Sequence, residues 1–266
     1  MKSVVIFGQG YVGSAYKFLM ERAHNVIPVD PYKGINPTLH WALYTDYFVC
    51  VDTPSTLDGF CDVSAVESVL DQINENVLVG FKLVHIKSTV DPTMARALQT
   101  KYSKLGLVFN PEFLTAKNNL VDVVTQDNVI LGCDPEHRPL LEWSIHNLWK
   151  PVLPGAKYHI TGIEEACLAK YTVNSFLATK VTFFNQIREI ADTLGIDYNE
   201  VAKLAGADRR IGTSHTASPG PDGKFGWGGH CFEKDVPAII NSAKHQGADT
   251  DFLSAMLNTN NRHRNG

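Results

Sequence analysis

The amino terminus constrains this chain more than any other stretch. Val4-Val5-Ile6-Phe7 is a short apolar run of the kind that makes a buried strand, and it leads straight into Gly8-Gln9-Gly10-Tyr11-Val12-Gly13. A helical period follows, with Tyr11, Ala15, Phe18 and Leu19 recurring every three or four residues. A second apolar run, Asn25-Val26-Ile27-Pro28-Val29, ends in Asp30, at about the twenty-residue spacing expected of an acidic partner. Strand, GxGxxG turn, helix, strand and terminal carboxylate together form the fingerprint of a Rossmann dinucleotide site. The glycines permit a tight turn and a close backbone approach to pyrophosphate, which rests on the helix amino terminus. A carboxylate at position 30 accepts from ribose hydroxyls, which selects NAD over NADP. The expected cofactor contacts are therefore Gly8, Gly10, Tyr11, Val12, Gly13 and Asp30, with Lys33 either leaning on the same ribose or simply solvated.

Strand and helix patterns keep alternating through the first 160 residues. Apolar runs at 47–51, 82–86, 107–109, 128–131 and 158–160 read as strands. Helices are expected from the Asp62 cap through Ile73, after Asp91-Pro92, and from near Pro135 to about Trp149. In an open α/β sheet, ligands lie beyond the carboxyl ends of the strands. Thr53-Pro54, Ser88-Thr89 and Asn110-Pro111-Glu112 all fall at such ends, which lifts them above ordinary turn residues. The fold expected here is α/β, a doubly wound parallel sheet over residues 1–160, followed by an all-helical domain over 161–266.

The second half carries the reactive side chains. Thr161-Gly162-Ile163-Glu164 reads as a capping box that starts a helix near Gly162, and the pattern runs to a C-cap at Gly195. A helix of more than thirty residues exceeds what one compact domain needs, so it is expected to pack against a second copy of itself. Lys170 and Asn174, four apart, share one face of it. On a solvated face they would be ordinary polar residues, but Cys167, Val173, Phe176, Leu177 and Val181 around them are apolar. An ammonium and an amide held together at low dielectric form an oxyanion clamp. A second helix is expected from Asp197 to Gly206, and a last one from about Asp251 to Arg262 with a frayed tail.

Between those helices stands Phe225-Gly226-Trp227-Gly228-Gly229-His230-Cys231-Phe232-Glu233-Lys234-Asp235. Its glycines let backbone press against a bulky polar ligand. The amphipathic stretch from Asp235 predicts a helix starting near Glu233 or Lys234, with Pro237 in its first turn. Cys231 would then lie beside a helix amino terminus and Lys234, a setting that lowers a thiol pKa; the plainer reading is a small buried cysteine.

Composition excludes several classes. With 44% hydrophobic and 20% charged residues the chain is an ordinary globular protein, and a net charge of −4 gives no basic surface for nucleic acid or membrane. Five scattered cysteines with no metal-type spacing point to reduced thiols and a cytoplasmic location. No stretch approaches membrane-spanning length, and the first apolar run is too short for a signal peptide.

The run Gly-Trp-Gly-Gly-x-Cys-x-x-Lys-Asp over 226–235 closely resembles the signature of the UDP-glucose/GDP-mannose dehydrogenase family. Thr53-Pro54, Ser88-Thr89-Val90, Asn110-Pro111-Glu112-Phe113-Leu114, the helix segment 169–178 and Asp208-Arg209-Arg210-Ile211-Gly212 are similar to the family's other motifs. The resemblance implies NAD-dependent two-step oxidation of a nucleotide-sugar alcohol to the uronic acid, with UDP-glucose the first expectation. It implies Cys231 as nucleophile, Lys170 and Asn174 as clamp, Glu112 as acid/base residue, Thr89 positioning a water, and Asp235 beside them. It further implies Thr53 and Thr89 by the cofactor, and Phe113, Leu114, Lys170, Asn174, Arg210, Phe225 and Gly228 at the substrate. In some members the arginine at the Arg210 position reaches across a dimer.

The chain departs from the family in two places. Thr115-Ala116-Lys117-Asn118 stands where the family usually carries a second glutamate and a glycine. Family members also continue into a third domain that grips the nucleotide, so a short form or a separate chain supplying that part is expected, with weak turnover alone. Two other readings remain open: a single-step β-hydroxyacid-type dehydrogenase, which needs no cysteine, and a non-catalytic NAD-binding dimer.

Overall fold

Among the described residues seven strands pair into one sheet in the order β2-β1-β3-β4-β5-β6-β7. They are β1 (Ser3–Phe7), β2 (Asn25–Val29), β3 (Asp46–Val49), β4 (Leu83–Ile86), β5 (Gly106–Phe109), β6 (Asn128–Gly132) and β7 (Lys157–Thr161). The helices α1 (Tyr11–Met20), α2 (Ser64–Asn76), α3 (Pro92–Lys101), α4 (Asn119–Thr125) and α5 (Arg138–Ser144) connect them. This is the computed structural model of the chain, and it describes residues 1–76, 82–115 and 118–265. Ala116 and Lys117, where the sequence departs from the family motif, lie outside the described residues, as does Gly266.

The chain divides into two units, Met1–Pro54 with Cys61–Lys170, and Ser55–Phe60 with Tyr171–Gly266. The sheet belongs to the first. Its central strands β3, β4 and β5 are buried along their whole length, as strands covered on both faces must be. The chain crosses from β2 on one side of β1 to β3 on the other, so the strand order reverses at the carboxyl end of β1. The expected α/β sheet is present and parallel over most of its pairs. The sheet is parallel from β2 to β5, but β6 pairs antiparallel with β5 at Phe109 and Gly132, and β7 runs parallel to β6.

Local chemistry accounts for several helix ends. Asp91 caps α3 by accepting from Thr93 N and Met94 N, with Pro92 as the first helical residue. Asp62 Oδ1 accepts from Ser64 N at 2.9 Å ahead of α2. The expected helix over 135–149 is uneven: a 3-10 turn, then α5, then a π-helical turn at Ile145–Trp149. The core beneath includes Ile6, Phe48, Val108, Leu131 and Trp149. Sealed within it, Asp46 Oδ1 accepts from Ser144 at 2.6 Å and lies 3.3 Å from His85 Nε2. These three residue types are those of a hydrolytic triad, but here the serine bonds the carboxylate directly and all three are buried. The group is structural.

Helix α6 (Ile163–Leu194) ends as expected, at Gly195 with φ +67° and Ile196 N donating to Ala191 O at 2.9 Å. At its start Glu164 is engaged chiefly by Arg96. Arg96 holds both carboxylate oxygens at 2.6 and 2.7 Å, a bidentate contact stronger than one backbone donor. The second unit adds α7 (Tyr198–Gly206), capped by Asp197, then α8 (His230–His245) and α9 (Asp251–Asn265). Its cores gather Ala178, Val181, Trp227, Val236 and Met256, and Phe184, Ala191, Tyr198 and Ala202.

Two further expectations fail in this unit. Helix α8 begins at His230 rather than near Glu233, so Pro237 sits inside the helix, where it removes a donor that the Glu233 carbonyl would otherwise meet. The tail is not frayed through Asn265. Arg264 pairs with Asp222 at 2.6 Å and His263 with Glu189 at 3.1 Å, contacts between distant segments that extend α9.

Candidate active site

In the first unit the glycine turn is built by steric necessity at two positions. A Cβ on Gly13 would stand 1.8 Å from Gly8 O, and Gly8 itself, at φ +81°, has Cys50 O 2.5 Å from where its Cβ would be. Gly10 has open space around it. It precedes α1 without a side-chain cap, so the helix presents first-turn amides of the kind that hold pyrophosphate. Asp30 closes β2 and its Oδ2 accepts from Gln9 N at 2.8 Å, while Lys33 Nζ donates to Gln9 O at 2.6 Å. Asp30 and Lys33 thus brace the turn. The Tyr11 hydroxyl donates to Thr115 O, and Val12 is half-buried against the core. Thr53 is buried beyond β3. A cradle that a Cβ would fill, an uncapped helix start and a carboxylate at the end of β2 fit NAD.

The ends of β4 and β5 bring the next group together. Lys170, on α6, places Nζ 3.0 Å from Glu112 Oε1 and 2.5 Å from Glu112 O, and both side chains are less than a tenth exposed. Glu112 Oε2 accepts from Leu114 N at 2.6 Å, which orients the carboxylate. Phe113 lies with its ring centroid 5.2 Å from the ammonium. Thr89, Asn110, Pro111, Cys167 and Lys170 line a cleft of about 10 Å³, roughly the room one water needs. An ion pair beside a one-water cleft can hold a water and remove its proton.

The second unit holds the other group. Asn174 Nδ2 donates to Asp235 Oδ2 at 2.6 Å, and Lys234 Nζ lies 2.5 Å from Asp235 Oδ1. Asp235 is 1% exposed. Cys231 is the second residue of α8, behind Gly229 at φ +87°, and it is exposed whereas the other four cysteines are buried. A thiolate there gains from the positive end of the helix. Phe225 is exposed, and Arg264 Nη2 closes over Gly228, 2.4 Å from where a Cβ would stand. Arg210 has other partners. Its guanidinium pairs with Asp208 at 2.6 Å and borders an apolar groove of about 480 Å³ with Phe176, Phe183 and Ile211.

Several supporting residues escaped the sequence reading. Asn260 accepts from Trp227 N at 2.7 Å and donates to Trp227 O at 3.0 Å; Asn185 Oδ1 accepts from Gly226 N at 2.9 Å. Trp227 Nε1 donates to Thr182 at 2.9 Å. Each pins the glycine loop. Their one sequence signal is an amide or hydroxyl interrupting the apolar face of a helical period.

Residues 45–151 match the NAD binding domain of the UDP-glucose/GDP-mannose dehydrogenase family, and residues 164–262 match its central domain. The UDP-glucose 6-dehydrogenase of Rickettsia bellii is 33% identical over 218 residues, which are 80% of this chain and 48% of that protein. The UDP-glucose 6-dehydrogenase AglM of Haloferax volcanii is 29% identical across 96% of this chain and 68% of its own length. A UDP-glucose dehydrogenase structure from Pyrobaculum islandicum superposes with a TM-score of 0.83 at 26% identity, over 98% of this chain and 68% of that one. The chain thus spans about half the length of its Rickettsia relative and two thirds of the other two.

Proposed function

Because this chain belongs to the UDP-glucose/GDP-mannose dehydrogenase family, we propose that it is an NAD-dependent nucleotide-sugar dehydrogenase that carries a primary alcohol through two oxidations to the acid. UDP-glucose to UDP-glucuronate is the reaction proposed first, from the names of its relatives. The observation that carries the reading is Cys231, the exposed thiol at the start of α8 among five cysteines.

Bound NAD supplies the hydride acceptor for both oxidations. Gly8, Gly10, Gly13 and the start of α1 hold its pyrophosphate, and Asp30 its ribose. A base takes the hydroxyl proton as the first hydride leaves, and the alcohol becomes an aldehyde. The Cys231 sulfur bonds to the aldehyde carbon, and its oxygen, now an alkoxide, is held by Lys170 and Asn174. Loss of the second hydride from that carbon leaves a thioester. Glu112 takes a proton from water held at Thr89; the water oxygen bonds to the acyl carbon, the carbon–sulfur bond breaks, and acid and thiol separate. In sum one alcohol and one water yield one carboxylate, two hydrides and three protons. Asp235 fixes the Asn174 amide that this scheme uses.

The same reading takes the chain as a homodimer through α6, whose Phe176, Phe183, Ile190 and Leu194 are exposed. It also takes the location as cytoplasmic, since five cysteines outside any disulfide suit a reducing compartment. Among the described residues no helix is long and apolar enough to cross a membrane. A panel of nucleotide-sugars followed by NADH absorbance tests the reading. One member should give acid with the wild-type chain and none with Cys231→Ala; acid from the variant would remove the cysteine route.

A further inference from the structure

Lys87 follows β4, and its side chain is sealed in the first unit with 2% of its surface exposed. The ammonium donates to the Tyr16 hydroxyl and to Asn110 Oδ1, both at 2.8 Å. It lies 4.0 Å from the Tyr16 ring centroid and 5.9 Å from that of Trp149. All of these partners are neutral. A buried ammonium with no carboxylate in contact is costly, and a methionine would fill the same space at lower cost. A role is therefore needed to explain the charge.

Asn110 supplies one. Its Oδ1 is taken by Lys87, its Nδ2 donates to Ile130 O at 2.6 Å, and its backbone N–H donates to Ile86 O at 2.9 Å. Both ends of the amide are fixed, and with them the start of the turn Asn110-Pro111-Glu112, in which the proline ring removes one backbone freedom. The groups facing Lys87 are Tyr16 on α1, Cys50 after β3, Asn110 and Glu112 after β5, and Lys170 on α6. Of these, Glu112 is the one carboxylate; it attracts the ammonium, and Lys170 repels it.

We propose that Lys87 is a positioning residue, which through Asn110 fixes the turn that presents Glu112 and holds a positive charge on the buried side of that carboxylate. The inference rests on the reading of Glu112 as the acid/base residue. Burial pushes the Lys87 amine down to about 7, so the charge is present below that pH and lost above it. With it the charge-assisted bond to Asn110 reverts to a weaker neutral one.

The test needs no substrate. In ¹H–¹⁵N spectra of the apo protein between pH 5.5 and 8.5, the side-chain amide of Asn110 and the backbone amide of Leu114, which donates to Glu112, should shift together with a midpoint near 7. Lys87→Met should abolish that titration. In the active enzyme it should lower kcat tenfold or more with KM within about twofold. No titration near 7 in the wild type, or one that survives in Lys87→Met, overturns the proposal. Should Lys87→Met fail to fold, Tyr16→Phe serves instead. It removes one acceptor of the ammonium, so the midpoint must move to lower pH, and an unmoved midpoint overturns the proposal equally. Amides that titrate as expected in a protein that oxidises no nucleotide-sugar uphold the positioning role and sink the enzymatic reading alone.

Discussion

The Asn174 side-chain amide donates to Asp235 Oδ2 across 2.6 Å. The carboxylate is 1% exposed and its other oxygen meets Lys234, so the amide has little freedom to turn away. Asp235→Ala leaves a buried amide and an ammonium without their acceptor and should cost about 2–4 kcal/mol in urea unfolding. Asp235→Asn keeps the shape and should unfold with less than half that loss, yet slow acid formation tenfold or more. Full acid formation by Asp235→Asn would make the pair purely structural.

Lys170 and Glu112 form an ion pair of 3.0 Å with both side chains nearly sealed. Removing one partner strands a buried charge. Glu112→Leu should therefore destabilise the fold by about 3–5 kcal/mol, and adding Lys170→Met should recover a large part of it. Chemical denaturation of the two single variants and the double variant checks this, and additive losses would show that the charges do not interact.

Two glycines of the amino-terminal turn should differ in what they cost the fold. Gly13→Ala drives a Cβ to 1.8 Å from Gly8 O and should cost about 3 kcal/mol as well as NAD binding. Gly10→Ala meets nothing within 4 Å, so its stability should stay within about 1 kcal/mol of wild type. Its NAD affinity should nevertheless fall at least tenfold, because the new methyl occupies the approach of the pyrophosphate. Urea unfolding separates the two variants, while calorimetric titration with NAD should show both weakened.

Asp46 provides the pH dependence of stability. Burial alone would raise its carboxyl pKa, but the hydrogen bond and charge of His85, with the Ser144 and Thr45 hydroxyls, outweigh burial and hold it below the usual range. A carboxylate whose pKa is depressed by folding contributes stability above its unfolded value near 3.9 and loses it as pH falls through the folded value. Wild type should accordingly lose stability below about pH 4. Asp46→Asn should be less stable at pH 7 and lose less on going to pH 3, as measured by thermal melts. An equal acid slope in both proteins would contradict the assignment.

What the sequence revealed follows from what is local. The strand runs, the GxGxxG turn, the helix starts at Asp91-Pro92 and Asp197 and the Gly195 stop are each written in a few neighbouring residues, and each is found where its pattern stands. The reversal of β6 and β7 depends on pairing between distant segments, which a run of apolar residues does not encode. The start of α8 is not legible locally, because Gly228-Gly229 reads as loop and Pro237 as a first-turn residue. Gly229 at φ +87° in fact precedes the helix, and the proline is carried inside it. Residues 263–265 stay helical through partners at Glu189 and Asp222 that the local sequence does not show. Lys87 in Ile-Lys-Ser-Thr looks like an ordinary turn lysine, and only the packing of Tyr16, Trp149 and Asn110 around it reveals a buried charge.

The central claim is that Cys231 traps an aldehyde between two oxidations. Counting NADH formed per molecule of nucleotide-sugar consumed, in single turnover with excess NAD, tests it most directly. The account predicts a ratio of two with the uronic acid as product, and no acid when Cys231 is replaced by alanine. A ratio of one, unchanged by the Cys231→Ala substitution, would contradict it.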